Sequence, residues 1–253
     1  MTEILPLRLG ITGTDTGIGK TVVACAIAAR AVQQGLRVGA MKPIESGIDP
    51  RVEDDGAPRS DAERLRAAAN SSVSLSHIRP YVLEEPLAPM VAAQRAGITI
   101  DLAALDSAFE AVATDQDLVL VEGAGGLLVP ITRSISFLDL FARWRCELVI
   151  VAGNRLGVLN HVLLTVRAAE AAGVTVRAVV LTSYTSPDAS VAEATNYDAL
   201  VALLPTYAVL RFPWVDRTDA NDALAAAAAG SGVDTMLRQE PPEPTAPGTL
   251  FLD

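Results

Sequence analysis

Basic residues are in short supply in this chain. It carries 20 Lys and Arg against 30 Asp and Glu, a formal net charge of -10. A positive footprint for a phosphate backbone is therefore missing, and an acidic chain binds anionic membrane surfaces poorly. Neither nucleic acid nor a membrane is expected as a partner. Cysteine is as scarce: Cys25 and Cys146 lie within apolar or aromatic stretches and read as small core residues, not as disulfide partners or nucleophiles. The two histidines, His77 and His161, lack metal-ligand spacing, which argues against zinc. No apolar run reaches the length of a membrane span, and "MTEILPLRLGIT" shows no signal peptide. A cytoplasmic protein is expected.

Apolar residues are plentiful, half of the 253, enough to fill one large α/β core. Apolar runs that read as buried strands cover residues 7–12, 36–43, 117–126, 147–153, 176–183 and 207–214. Helix-period stretches cover 20–34, 61–69 with Ser60 as N-cap, 101–114, 136–145, 158–172 and 187–204. Residues 44–60 read as a loop, 76–100 as an irregular proline-rich stretch, and the alanine run 223–229 as ordinary helix composition. Continuous apolar strands alternating with helices imply a mostly parallel sheet with helices on both faces. One domain is expected over residues 1–238, followed by a loosely held proline-rich tail over 239–253.

The stretch "GITGTDTGIGKT" (10–21) joins the first strand to the first helix. Gly17, Gly19, Lys20 and Thr21 supply what a phosphate loop needs: backbone that wraps an anion, a lysine for the β/γ oxygens and a hydroxyl for magnesium. The spacing is irregular. Five residues separate Gly13 from Gly19, where the usual pattern has four, and Thr14 occupies the usual glycine position. The alternative is a glycine-rich turn that binds no nucleotide. The chromosome-partitioning and division-site ATPases carry an extra lysine five residues before the invariant one; here that position is Asp15.

Other charged residues sit at strand ends, where ligands lie in open parallel sheets. Lys42 and Ser46 in "AMKPIESG" follow the second strand, and Glu122 closes "LVLVEG" before the glycines at 123, 125 and 126. An acid there suits magnesium. Taken singly, Lys42 also reads as a charge leaving a strand, Glu122 as a surface acid, and Asp61 as a first-turn helix acid.

Together these segments resemble the dethiobiotin synthetase family. That family's loop has the form G-T-D-T-x-x-G-K-T, so the irregular spacing is its own. "KPIESG", Ser60–Ala62 ("SDA"), "EPLAP" (85–89), "VEGAGG" (121–126), "LGVLNHVLLT" (156–165) and Pro213–Trp214 match in family order across residues 10–214. The resemblance implies a single-domain P-loop NTPase fold. It also implies ATP-dependent ring closure of 7,8-diaminopelargonic acid with CO2, with Mg2+, in a homodimer whose substrate site lies at the interface. By the same resemblance Gly13, Thr14, Asp15, Thr16, Gly17, Ile18, Gly19, Lys20 and Thr21 would hold the nucleotide phosphates, and Thr182 and Pro213 would lie at the base. Lys20, Lys42, Thr16 and Ser46 would be catalytic. Thr21, Asp61 and Glu122 would hold magnesium. Ser46, Pro86 and Gly125 would contact the diamine, and Leu156, Gly157, Val158 and Asn160 the substrate carboxylate from the neighbouring subunit. For Asn160 a helix cap is the alternative. Thr182 departs from the family's frequent asparagine, and Gly17 stands where some members have glutamate. Two rivals remain: an amide-forming ligase of the cobyrinic acid diamide type, for which the chain ends too early to hold a glutamine-hydrolysing domain, and a P-loop switch ATPase.

Overall fold

The computed structural model describes residues 6–48, 60–183, 191–216, 220–238, 240 and 242–246. The strands are β1 (Leu7–Gly13), β2 (Val38–Met41), β3 (Ile44–Ser46), β4 (Tyr81–Leu83), β5 (Leu118–Gly126), β6 (Glu147–Gly153), β7 (Val176–Thr182) and β8 (Ala208–Phe212). The helices are α1 (Lys20–Gln33), α2 (Asp61–Ala68), α3 (Leu75–Ile78), α4 (Pro89–Ala96), α5 (Leu102–Ala113), α6 (Phe137–Arg143), α7 (Val158–Ala171), α8 (Val191–Leu203) and α9 (Asn221–Ser231). Six strands form one sheet in the order β2-β5-β1-β6-β7-β8, and every pairing between them is parallel. No described helix is long and apolar enough to cross a membrane.

The strands of the six-stranded sheet are mostly apolar because both of its faces are covered. Side chains alternate across a strand. Leu118 and Leu120 of β5 thus join Leu7, Leu9 and Ile11 in a core with α1 and α9, while Val119 and Val121 join the opposite core with α5, α6 and α7. Each fully buried leucine or isoleucine contributes about 1.5–3 kcal/mol of transfer free energy. Gly10 lets β1 approach α6, since a Cβ there would lie 2.7 Å from the Phe141 ring.

Two expectations are corrected. Local pattern predicts a loop over residues 44–60, but Ile44–Ser46 pairs in parallel with Tyr81–Leu83 as a second, two-stranded sheet. The stretch 76–100, read as irregular, holds β4 and α4 as well as most of α3. Three-residue strands are too short to display a period, and their pairing spans a long sequence separation. Residues 49–59 and 187–190 of the predicted elements lie outside the described residues. Of the segment expected as a loose tail, the described Glu240 and Thr245 make hydrogen bonds to the domain. Buried Arg177 donates to the carbonyls of Met236, Arg238 and Glu240, and Thr245 Oγ1 bonds both the N–H and the carbonyl of Val209 on β8.

Candidate active site

The loop after β1 wraps back over its own start. A Cβ on Gly13 would meet the Ile18 side chain at 2.8 Å and both Asp15 O and the Lys20 stem at 2.9 Å, so only glycine fits beneath the loop. Gly19 caps α1 in the left-handed region at φ 91°, with no side-chain cap, which leaves the first-turn N–H groups for an anion. Thr14 N–H donates to Val151 O at 3.0 Å and Lys20 Nζ to Asp15 O at 2.7 Å. Asp15 Oδ1 accepts from Thr16 N–H at 2.8 Å. That bond, opposed by burial and reinforced by Arg155 beside the carboxylate, holds Asp15 below its ordinary pKa. The extra residue of the irregular loop is thus tied into the structure.

Three chain segments bring charge to the mouth of the sheet. Lys42, just beyond β2, places Nζ 2.6 Å from Glu122 Oε1 on β5 and 3.0 Å from Asp61 Oδ2 at the start of α2. Thr21 Oγ1 donates to Glu122 Oε1 at 2.8 Å. Lys20, Lys42 and Glu122 are all buried. Burial alone would lower Lys42, but the charges of Glu122 and Asp61 outweigh it and hold the ammonium above its usual pKa. Burial raises Glu122 above the ordinary carboxylate range, with Lys42 opposing. With two carboxylates facing it, Lys42 keeps its proton and the contact is an ion pair. Burial raises Asp61 as well, but Lys42 more than offsets this and its net shift is downward. Lys20 is pushed down to about 8 by burial and then by Lys42, with Glu122, Asp61 and Asp15 opposing. Glu122 Oε2 is buried without a hydrogen-bond partner. A hydroxyl and two carboxylates, one of them with an orphaned oxygen, form a hard-oxygen donor set suited to a magnesium ion.

A cavity of about 500 Å³ opens over these groups and is lined by Thr16, Gly17, Gly19, Lys20, Thr21, Lys42, Ser46, Asp61, Pro86 and Gly125. A second, of about 190 Å³, adjoins the loop between Gly17–Gly19, Thr182 and Pro213–Val215. Most of the predicted phosphate, metal and diamine residues therefore share one cavity, and Thr182 and Pro213 lie beside it. Two assignments narrow. The Ile18 side chain is buried in the core, so only its backbone remains for a ligand. Thr182 shares its hydroxyl hydrogen between Ile18 O at 2.8 Å and Ala152 O at 3.2 Å, which ties the loop to β6 and β7.

Leu156, Gly157, Val158 and Asn160 line neither of these two cavities. Gly157 caps α7 in the left-handed region, so the cap is not Asn160, which is exposed. The Val158 side chain is buried in the core, and its N–H donates to Arg155 O. Leu156 is 87% exposed.

Sequence reading missed Glu45. It is 3% exposed, accepts from Asp61 N–H at 2.6 Å and pairs with Arg79 at 2.8 Å, so it sets the start of α2 and with it the Asp61 carboxylate. The available signal was period two: Ser46 faces the cavity, and its neighbour must face the other way. Ser60 does cap α2, in a reciprocal box with Glu63. Arg64 and Val129 also line the larger cavity and were not anticipated.

A parallel sheet with a glycine loop, an invariant-type lysine and a hydroxyl at its central strand defines a P-loop nucleotide-binding domain, and the AAA domain family matches residues 8–222. Relatives narrow the class. A protein of Anaeromyxobacter sp. (strain Fw109-5) is 44% identical over 173 residues, 68% of this chain and 75% of its own. One of Anaeromyxobacter dehalogenans (strain 2CP-1 / ATCC BAA-258) is 41% identical over 206 residues, covering 81% and 89%. One of Escherichia coli O157:H7 is 32% identical over 216 residues, covering 85% and 94%. All three are ATP-dependent dethiobiotin synthetases, and this chain belongs to that family.

Proposed function

We propose that this chain closes the cyclic urea of dethiobiotin from 7,8-diaminopelargonic acid, CO2 and ATP. The observation that carries the reading is the convergence of Lys20, Lys42, Thr21 and Asp61 at one cavity beside the loop, with buried Glu122 bonded to Lys42 and Thr21 behind them. One amine of the diamine adds CO2 and loses a proton to give a carbamate. A carbamate oxygen attacks the γ-phosphorus and ADP departs, leaving a carbamic–phosphoric anhydride. The second amine attacks the carbonyl carbon and gives up a proton, phosphate leaves with the bond electrons, and the ring closes.

This sequence brings one anion onto another, so it needs neutralisation and alignment more than a protein nucleophile. Lys20 and Lys42 supply fixed positive charge to the phosphates and the carbamate. Thr16 and Ser46 donate hydrogen bonds, and Gly125 and Pro86 bound the space for the diamine. Thr21, Asp61 and Glu122 would hold Mg2+, which when bound offsets charge on the β- and γ-phosphate oxygens. A cytoplasmic location belongs to this reading, because ATP is made and kept there.

A homodimer completes the proposal: Leu156, Gly157 and Asn160 at the start of α7 reach the substrate carboxylate in the partner's cavity. Leu156, just before α7 and 87% exposed, and Leu164, midway along it and 62% exposed, support an interface there. Light scattering of the parent should give twice the chain mass, and Leu156→Glu should give the monomer; a monomeric parent refutes the dimer.

The activity test is phosphate release with Mg-ATP, bicarbonate and diamine, with dethiobiotin followed by mass. Release should require the diamine, yield dethiobiotin and fail in Lys20→Met. Diamine-independent release without dethiobiotin overturns the reading in favour of a switch ATPase.

A further inference from the structure

Asp15 is an awkward residue for a loop that binds polyphosphate: a carboxylate there repels the ligand. The structure answers that charge. Arg155 Nη2 lies 2.5 Å from Asp15 Oδ2, while Oδ1 takes the Thr16 N–H. The pair is about half exposed, so its worth to folding is small. The turn that carries Arg155 is nevertheless built with care. Buried Asn196 on α8 donates to Asn154 Oδ1 at 2.9 Å and to Arg155 O at 3.2 Å. Asn154 in turn donates its N–H to Thr182 O at 2.9 Å and its amide to Glu193 O at 2.9 Å. A buried amide spent on fixing a surface turn holds the side chain on that turn in one place.

We propose that Arg155 is a positioning residue for nucleotide binding: it neutralises Asp15 and keeps the lengthened phosphate loop in the shape that admits the polyphosphate. The proposal rests on the nucleotide reading of this loop. It does not require dethiobiotin to be the product. Arg155 acts through Asp15 and Thr16, with Asn196 and Asn154 as its support.

The test is direct binding of Mg-ADP by calorimetry, together with turnover kinetics, on Arg155→Ala, Arg155→Lys and the double variant Arg155→Ala/Asp15→Asn. Uncovering one negative charge beside the phosphates should weaken ADP about tenfold in Arg155→Ala. KM for ATP should rise by a similar factor, with kcat changed less than about threefold. Arg155→Lys should stay within about threefold of the parent, since the charge is kept. Removing the Asp15 charge as well should return ADP affinity to within about threefold of the parent, a rescue that a purely structural role does not produce. Because the pair is exposed, all variants should unfold within about 4 °C of the parent. Parent-like ADP binding in Arg155→Ala overturns the proposal, as does failure of the double variant to recover. A change in KM for the diamine alone also overturns it, and places Arg155 on the substrate. A parent that binds ADP but makes no dethiobiotin removes the synthetase reading and leaves this one standing. A parent that binds no ADP removes both.

Discussion

Replacing Lys42 with methionine tests the central ion pair. In the parent, Lys42 Nζ is 2.6 Å from Glu122 and 3.0 Å from Asp61, with side-chain exposures of 5% for Lys42 and 1% for Glu122. Methionine fills most of the space but withdraws the charge. Glu122 is left with Oε1 bonded only to Thr21 and Oε2 bonded to nothing. Removing one partner of a buried pair costs about 3–5 kcal/mol. For a chain of this size, that is a fall of roughly 6–20 °C in unfolding midpoint. The pH dependence has a definite sign. Burial already raises Glu122, and without Lys42 nothing of comparable strength opposes it. An acid whose folded pKa exceeds its unfolded value binds more protons when folded, so stability falls as pH rises from the unfolded pKa through the folded one. The defect of the methionine variant should therefore be larger at pH 8 than at pH 5. Urea unfolding at both pH values, on the ligand-free protein, reads it. Adding Glu122→Gln should recover part of the loss, because the uncompensated charge is gone. An unchanged midpoint at pH 8, or a defect that grows on acidification, refutes the argument.

Lys20 should behave in the opposite way. Its pKa falls from 10.5 to about 8 on folding, so the protonated side chain costs the folded state on the order of 3 kcal/mol. Lys20→Met should therefore raise the stability of the ligand-free protein at pH 7 while abolishing turnover. The advantage should shrink between pH 8 and 10, where the unfolded parent holds more protons and the parent gains stability; a less stable variant at pH 7 refutes this. Gly13→Ala places a methyl 2.9 Å from Asp15 O and the Lys20 stem. It should cost about 1–3 kcal/mol and weaken Mg-ADP binding, and calorimetry showing parent affinity would count against the tight loop.

Much of the fold was legible in local pattern. The strand at 147–153 coincides with its predicted bounds, and α1, α5, α7 and β5 differ only at their ends. These elements carry long apolar runs or several helical turns, and their period is visible without partners. β3 and β4 were not legible, because each exists only through the other. Ile18 and Val158 sit in motif stretches, where sequence marks them as site residues and packing assigns their side chains to the core.

The sequence alone determined the phosphate loop: Gly13, Gly19, Lys20 and Thr21 lie within one short loop and the first turn of α1, so their relative placement follows from local backbone geometry. Tertiary structure decided the rest of the chemistry. Lys42 meets Glu122 only because β2 and β5 are neighbours in the sheet, and it meets Asp61 only because Glu45 and the Ser60 cap fix the start of α2. A charge's pKa and role depend on what lies within a few ångströms, and for groups far apart in the chain that distance is set by packing, not by spacing.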